Sequence, residues 1–339
     1  MSRATGTFII AEAGVNHNGS LELALELVRA ARDCGADAIK FQTFSADRLV
    51  TRAAEKAAYQ QRSLPDDNSQ YRMLKALELS EQDFIALRDE CGRQGIEFLS
   101  SAFDAESADF LHRLGMRLFK IPSGEVTNMP LLWHIGAFGK SIILSTGMCW
   151  LADVETAVRA LRDAGGGPIT VLHCVTEYPA PDDQINLSAM ETLKHALGLP
   201  VGYSDHTSGI HIPVAAVGMG ATVIEKHFTL DTAMEGPDHA ASLAPDAFRD
   251  MVRAIRGVEA ALGDGRKQPA PCEMANAEVA RKSIVVDRPI AAGEIIAPEH
   301  LAMKRPGTGI SPTLLEQVLG RRARRDLQPD TVLDWTDLQ

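Results

Sequence analysis

"PVGYSDHTSGIHIPVAAVGMGATVIEKHF" (residues 200–228) contains two short, almost continuously apolar runs, 200–206 and 222–228, and His206 and His227 stand near their ends. Consecutive apolar positions suit parallel strands covered on both faces, because a strand with one wet face alternates instead. Six runs of the same kind precede them: "TFIIAEAG" (7–14), "DAIKFQTF" (37–44), "EFLSSAF" (97–103), "LFKIPSG" (118–124), "SIILSTG" (141–147) and "ITVLHCV" (169–175). Segments with helical spacing separate them, such as "SLELALELVRAARDCG" (20–35), "SEQDFIALRDECGRQG" (80–95) and "LADVETAVRALRDAG" (151–165). Ser20 and Ser80 open the first two as caps for free N–H groups, and Gly35 and Gly95 close them. Eight such units in roughly 260 residues predict an α/β protein of the (β/α)8 TIM-barrel class. A doubly wound open sheet is the competing fold. It fits less well, because no GxGxxG turn follows the first run.

Two segments depart from this rhythm. Residues 45–79 form a long insertion in the second unit, polar through "YQQRSLPDDNSQ", where a loop of the catalytic face would lie. After the barrel (1–262), residues 263–281 read as a Gly/Pro-rich linker with a short helix, and 282–339 as a small β-rich domain without helical periodicity.

The 339 residues are 45% hydrophobic and 23% charged, an ordinary soluble globular balance. A net charge of −11 argues against a general nucleic-acid-binding surface, although a pocket can still be locally basic. Five scattered cysteines without a CxxC pair indicate neither a disulfide framework nor a cysteine zinc site, and fit buried thiols in a reducing cytosol. The N-terminus lacks a long apolar segment, and no run approaches the roughly twenty residues a membrane span needs. A cytoplasmic protein, with no membrane and no nucleic-acid partner, is therefore expected.

In a barrel the chemistry sits at the C-terminal strand ends, and these ends are polar here. They carry Glu12, Asn16 and His17; Lys40 and Gln42; Ser100 and Ser101; Lys120, Ser123 and Glu125; Ser145 and Thr146; Glu177 and Tyr178; Ser204, Asp205 and His206; and Glu225, Lys226 and His227. Two lysines inside apolar strands, with serine hydroxyls nearby, make an anion site for phosphate or carboxylate. A lone strand lysine is more often a snorkelling edge residue. His206 and His227, delivered by successive strands, can converge on one divalent cation and leave positions for water and substrate. Each alone would read as a packing residue. Glu12 fits either a salt bridge to Lys40 or a general acid/base, and Asp238 of "GPDH" either a turn residue or a sugar ligand.

"AEAGVNHNGS", "AIKFQTF", "FKIPSGE", "STGM", "TEYPAP", "GYSDHTSG", "EKHFTLD", "GPDHAAS", "ARKSIVV" and "KRPGTGISP" follow one another along the whole chain. In this order they resemble the sialic acid synthase family, most closely its bacterial N-acetylneuraminate synthases, with the legionaminic acid synthases as siblings. The resemblance implies a barrel followed by an antifreeze-like (SAF) domain, in a domain-swapped homodimer. It implies condensation of phosphoenolpyruvate with an N-acylated mannose-type sugar and water, with phosphate leaving by C–O cleavage. N-acetylmannosamine is the expected acceptor and 2,4-diacetamido-2,4,6-trideoxymannose the alternative. A divalent metal is implied, Mn²⁺ foremost, with Mg²⁺ or Co²⁺ able to substitute. Carried onto this chain, His206 and His227 become metal ligands and, with Glu12, the catalytic set. Lys40, Ser101, Lys120, Ser123, Ser145 and Ser204 become phosphoenolpyruvate ligands, although "SSAF" departs from the family's "STPF" at Ser101. Gln42, Asn68, Glu125, Tyr178, Asp238 and Arg305 become sugar ligands, Arg305 reaching across the dimer. A non-catalytic sugar-binding protein is the alternative of another class. It would need one of these groups to be missing.

Overall fold

The eight apolar runs form eight strands: β1 (Phe8–Gly14), β2 (Ala38–Thr43), β3 (Glu97–Ala102), β4 (Leu118–Ile121), β5 (Ser141–Ser145), β6 (Ile169–Cys174), β7 (Val201–Asp205) and β8 (Val223–His227). They are seen in a computed structural model that describes residues 6–339. Each strand pairs with the next in chain order, and β8 pairs in parallel back onto β1, so the sheet is a closed barrel and the open-sheet alternative falls.

The helices between the strands start where their caps place them. Ser20 Oγ accepts the Leu23 N–H at 3.3 Å, ahead of the helix Leu21–Asp33. Ser80 Oγ accepts from Asp83 N at 3.2 Å while the Asp83 carboxylate takes Ser80 N at 2.8 Å, a reciprocal box opening Glu81–Gln94. Gly95 ends that helix at φ 68°, a left-handed conformation that costs glycine little. Ala24, Leu27, Val28 and Ala31 form the buried stripe of the first helix, at the spacing of one helical face.

Strand alternation then splits the core in two. Ile9, Ile39, Phe41, Ile121 and Ile224 point outward and pack under the helices. Ile10, Ala38, Leu99, Ile143, Leu172 and Val223 point inward and close the lower barrel. Gly202 completes this layer because there is no room for a side chain: a Cβ would stand 2.6 Å from Leu172 Cδ2 and 2.4 Å from Val223 O. Two residues further along each strand the same inward parity reaches the polar side chains described below.

The insertion is more structured than a polar loop. It carries short helices at Ala46–Leu49, Ala58–Ser63 and Gln70–Leu77, and Met73 and Leu77 pack with Val15 and Phe44 in a satellite core. A second compact unit, Gly265–Gln339, follows the first, which ends at Asp264. It contains a short helix (Met274–Ala280) and an antiparallel pair, β9 (Ser283–Val286) with β10 (Leu301–Lys304). Isolated bridges such as Val285↔Val332 and Ile290↔Leu327 extend the pairing around a core of Ile284, Val286, Ile296 and Leu333. This is the small β-rich domain expected at the C-terminus. Among the described residues, no helix is long and apolar enough to cross a membrane.

Candidate active site

Above the apolar floor, the next inward layer consists of Glu12, Lys40, Ser101, Lys120, Ser145, Cys174, Ser204 and Glu225, one from each strand in turn. All of these charged groups are 5% exposed or less, so each must find its partner inside the layer. Lys40 Nζ lies 2.6 Å from Glu12 Oε2 and 3.9 Å from Glu225 Oε2, and donates to Ser101 Oγ at 3.3 Å. Lys120 Nζ reaches Glu225 Oε1 at 3.1 Å, and Ser204 Oγ donates to the same oxygen at 3.0 Å. Glu225 therefore sits between two ammonium groups. The salt bridge of Glu12 to Lys40 is present, and Glu12 also lines the barrel mouth.

Burial pushes the Glu12 carboxyl up to about 7, against the pull of Lys40. Burial would also raise Glu225, but Lys120 and Lys40 outweigh it and bring that carboxyl down to about 2. Lys40 is held above its usual range because Glu12 and Glu225 more than offset its desolvation, whereas burial lowers Lys120. The layer thus sets two lysines against one carboxylate ionised at neutral pH and a second, Glu12, that titrates there. Its surplus is positive, which suits an anionic guest. Ser145 Oγ and Glu225 Oε2 are buried here with no hydrogen-bond partner in the protein. Both atoms are thus open to a bond from a ligand or from water.

The outer layer adds Gln42, Thr176, His206, His227 and Tyr178. His206 Nδ1 meets Val175 O at 2.6 Å, which fixes the proton on that nitrogen and leaves Nε2 with its lone pair. His227 Nδ1 is buried without a partner. Burial lowers both imidazoles, so both are neutral, the form that binds metals, and their centroids are 5.3 Å apart. The pair therefore fits a divalent cation. No third His, Cys, Asp or Glu among the described residues completes a protein-only cluster, so such an ion would take its remaining ligands from water and substrate. Tyr178 packs on His206 at 4.3 Å, and Tyr59 of the insertion packs on Tyr178 at 4.7 Å.

Asp238 arrives from the loop after β8. A Cβ on Gly14 would lie 3.3 Å from Glu12 Oε1, 3.4 Å from Gln42 Nε2 and 3.8 Å from Asp238 Oδ2, so these three groups share one corner. Glycine at φ 55° keeps that corner open. Gln42 Nε2 donates to Glu12 Oε1 at 3.2 Å. Behind it, Asn16 Nδ2 clamps Phe228 O and Ser242 Oγ, each at 2.9 Å, and His239 joins Thr229 Oγ1 at 2.6 Å, which together moor the loop bearing Asp238.

Burial raises Asp238 to about 6. At about 1.4 kcal/mol per pH unit, lifting the carboxyl from 3.8 to about 6 costs the fold about 3 kcal/mol once it ionises. A raised carboxyl destabilises as pH rises: nothing is lost near pH 4, and the full cost stands above pH 6. Asp238→Asn removes that cost. The variant is expected to melt with the native protein near pH 4 and at a growing margin above it up to pH 7. A margin constant over this range in calorimetric melting would contradict the assignment.

Two expected site residues lie outside these layers, and a third belongs to the second unit. The side chain of Asn68 is exposed and accepts from Gln61 Nε2 at 2.7 Å. Glu125 lies on the turn after β4 and accepts from Asn128 Nδ2 at 2.7 Å. Arg305 follows β10 in the second unit. Lys226, grouped by sequence with its neighbours, faces outward instead, fully buried and paired with Asp205 at 2.5 Å. Glu225 is the group to which sequence reading assigned no role, yet it has the same inward parity as His227.

A (β/α)8 barrel whose mouth combines two buried lysines, a carboxyl raised to about 7 and two neutral histidines has side chains of the kinds that bind anions and divalent cations. The profile described as "NeuB family" matches residues 27–267 and that of the SAF domain matches 281–339; the chain belongs to the NeuB family. It is 48% identical to the N,N'-diacetyllegionaminic acid synthase of Legionella pneumophila, over 98% of this chain and 94% of that one. The enzyme of the same name from Campylobacter jejuni is also 48% identical, over 96% and 98% respectively. The solved N-acetylneuraminic acid (sialic acid) synthetase of Leptospira borgpetersenii superposes with a TM-score of 0.71 at 34% identity, covering 81% of this chain and 91% of its own. The resemblance to sialic acid synthases is borne out at the level of the family. Within it, likeness favours the legionaminic branch, which sequence reading had ranked second.

Proposed function

We propose that this protein is a nonulosonic acid synthase that joins phosphoenolpyruvate to 2,4-diacetamido-2,4,6-trideoxymannose, consumes water, and releases phosphate and N,N'-diacetyllegionaminic acid. The observation that carries the reaction is the inner layer of the mouth, with its positive surplus and its unpartnered serine hydroxyl. Lys40, Lys120, Ser101, Ser123, Ser145 and Ser204 hold the phosphate and carboxylate of phosphoenolpyruvate by charge-assisted hydrogen bonds. Held there, its enol carbon C3 forms a bond to the aldehyde carbon of the sugar, and C2 becomes electron-poor. Water adds at C2, and the tetrahedral centre then breaks its C–O bond to phosphate. Glu12, poised near neutral pH, moves the proton of that water or the one at the aldehyde oxygen. His206 and His227 would hold a divalent cation, with Mn²⁺ the leading candidate; when bound, it supplies Lewis-acid stabilisation of charge on the aldehyde oxygen.

The acceptor reading rests on 48% identity to two legionaminic enzymes against 34% to a sialic acid synthetase. Relative to N-acetylmannosamine, this acceptor replaces one hydroxyl by an acetamido group and a hydroxymethyl by a methyl. Phe103 and Met148 line the mouth and suit that methyl. Gln42, Tyr178 and Asp238 bind the remaining polar groups, with Glu125 at the edge. The proposal includes the domain-swapped homodimer, with Arg305 as its contribution to the N-acetyl group. N-acetylneuraminate synthesis is the second reading.

Phosphate release from phosphoenolpyruvate, measured with each acceptor in parallel and Mn²⁺ present, tests the choice. A methyl-sized preference is worth about 10-fold or more in kcat/KM for the diacetamido sugar. Preference for N-acetylmannosamine would move the protein to the second reading. No phosphate with either acceptor would overturn both.

A further inference from the structure

A second cavity, of about 450 Å³, lies between the 45–79 insertion and the loop Glu235–Pro237, and it shares no lining residue with the barrel mouth. Its size is within the range of small-molecule sites. Leu64, Met73, Leu77 and Pro237 give it apolar walls, and Lys56 stands among them.

Lys56 is the anomaly. Four lysines are buried among the described residues: Lys40, Lys56, Lys120 and Lys226. Three have a carboxylate close by, at 2.6, 3.1 and 2.5 Å respectively for Lys40, Lys120 and Lys226. Lys56, 7% exposed, donates only to the carbonyl of Leu64, at 2.9 Å. An ammonium has three N–H donors, and a buried cation without a counter-charge is costly. Closing the end of the helix Ala58–Ser63 explains one of those bonds but not the burial, since capping lysines usually reach in from solvent. Lys56 N bonds Asn68 O, and Gln70 N bonds Ala54 O, both at 3.0 Å, which pins its backbone in a small bridged hairpin. Asp67 is the acid that feels its charge, but both Asp67 oxygens are taken by Arg72, and one also by Ser69 N.

We infer that this cavity is a binding site for a small monocarboxylate with an apolar body, its carboxylate paired with Lys56 and its body lying on Leu64, Met73, Leu77 and Pro237. Asp66 and Glu235, exposed in the lining, disfavour multiply charged anions such as phosphate. The two walls belong to segments that serve the mouth: the insertion brings Tyr59 onto Tyr178, and Pro237 leads into Asp238. An occupant would thus change the apparent KM for the sugar, a consequence that rests on the proposed function. The binding itself does not.

Binding is read from the Met73 methyl resonance of the full-length protein labelled with [13C-methyl]methionine, assigned through Met73→Leu. Titration with benzoate is expected to move that signal, with benzamide and inorganic phosphate each at least tenfold weaker. Lys56→Met should weaken benzoate at least tenfold, and Lys56→Arg should retain it. Equal affinity for benzoate and benzamide in the native protein, or no response to benzoate, overturns the inference even if Lys56→Met does not fold. Unchanged benzoate affinity in a folded Lys56→Met protein overturns it as well.

Discussion

Lys40→Met is expected to lower kcat/KM for phosphoenolpyruvate by roughly a hundred- to a thousandfold while the barrel stays folded. Among the described residues, Lys40 is the cation that lies near both Glu12, at 2.6 Å, and Glu225, at 3.9 Å. Losing a buried, hydrogen-bonded charge partner costs about 2–5 kcal/mol, and each 1.36 kcal/mol of barrier is tenfold in rate. The fold survives because Glu12, already raised to about 7, takes up a proton when its partner goes, so no uncompensated charge remains in the layer. Lys40→Arg should rescue little, since the larger planar guanidinium does not fit a position 3% exposed between two carboxyls. Steady-state kinetics with phosphoenolpyruvate varied at saturating acceptor, alongside circular dichroism, check this. A folded Lys40→Met protein with native kcat/KM would remove the lysine from the anion site.

Stripping divalent cations with EDTA is expected to abolish turnover, and Mn²⁺ added back should restore it. In His206→Ala or His227→Ala, added Mn²⁺ should restore almost nothing. A cation's stabilisation of developing charge is worth several kcal/mol, so the loss should reach about a thousandfold. His206 is the better test because its Nδ1 is committed to Val175 O at 2.6 Å, which leaves one nitrogen for the cation. Calorimetric titration of Mn²⁺ into the native and His206→Ala proteins separates a lost ligand from a lost fold. Full activity after chelation, or unchanged Mn²⁺ affinity in the variant, would make the two imidazoles packing residues.

The barrel could be read in the sequence because its strands are dry on both faces and so appear as continuous apolar runs. Their ends were read too long. The run 118–124 stops as a strand at Ile121, since Pro122 has no N–H for the ladder and Ser123–Glu125 turns at once into a 3-10 helix. The three short helices of the insertion left no trace, being too brief for a periodic signal to rise above polar composition. At the site, parity was the neglected clue. Residues 225 and 227 face inward and 226 outward, so "EKH" contains one structural lysine between two residues that line the mouth. Lys40 and Lys120 stood out as lysines inside apolar strands, but the place of Glu225 as the carboxylate between them emerges only when β2, β4 and β8 close round one axis. Asn68 was placed by likeness alone, and in the structure its side chain accepts a local bond from Gln61.

The most direct measurement uses phosphoenolpyruvate carrying ¹⁸O in the bridge between C2 and phosphorus, with the diacetamido acceptor. If the mouth holds phosphoenolpyruvate as proposed and water enters at C2, the bridge oxygen leaves with the phosphate. Mass spectrometry should then find released phosphate two mass units heavier. Unlabelled phosphate, formed by attack at phosphorus with the bridge oxygen kept on carbon, would contradict the account.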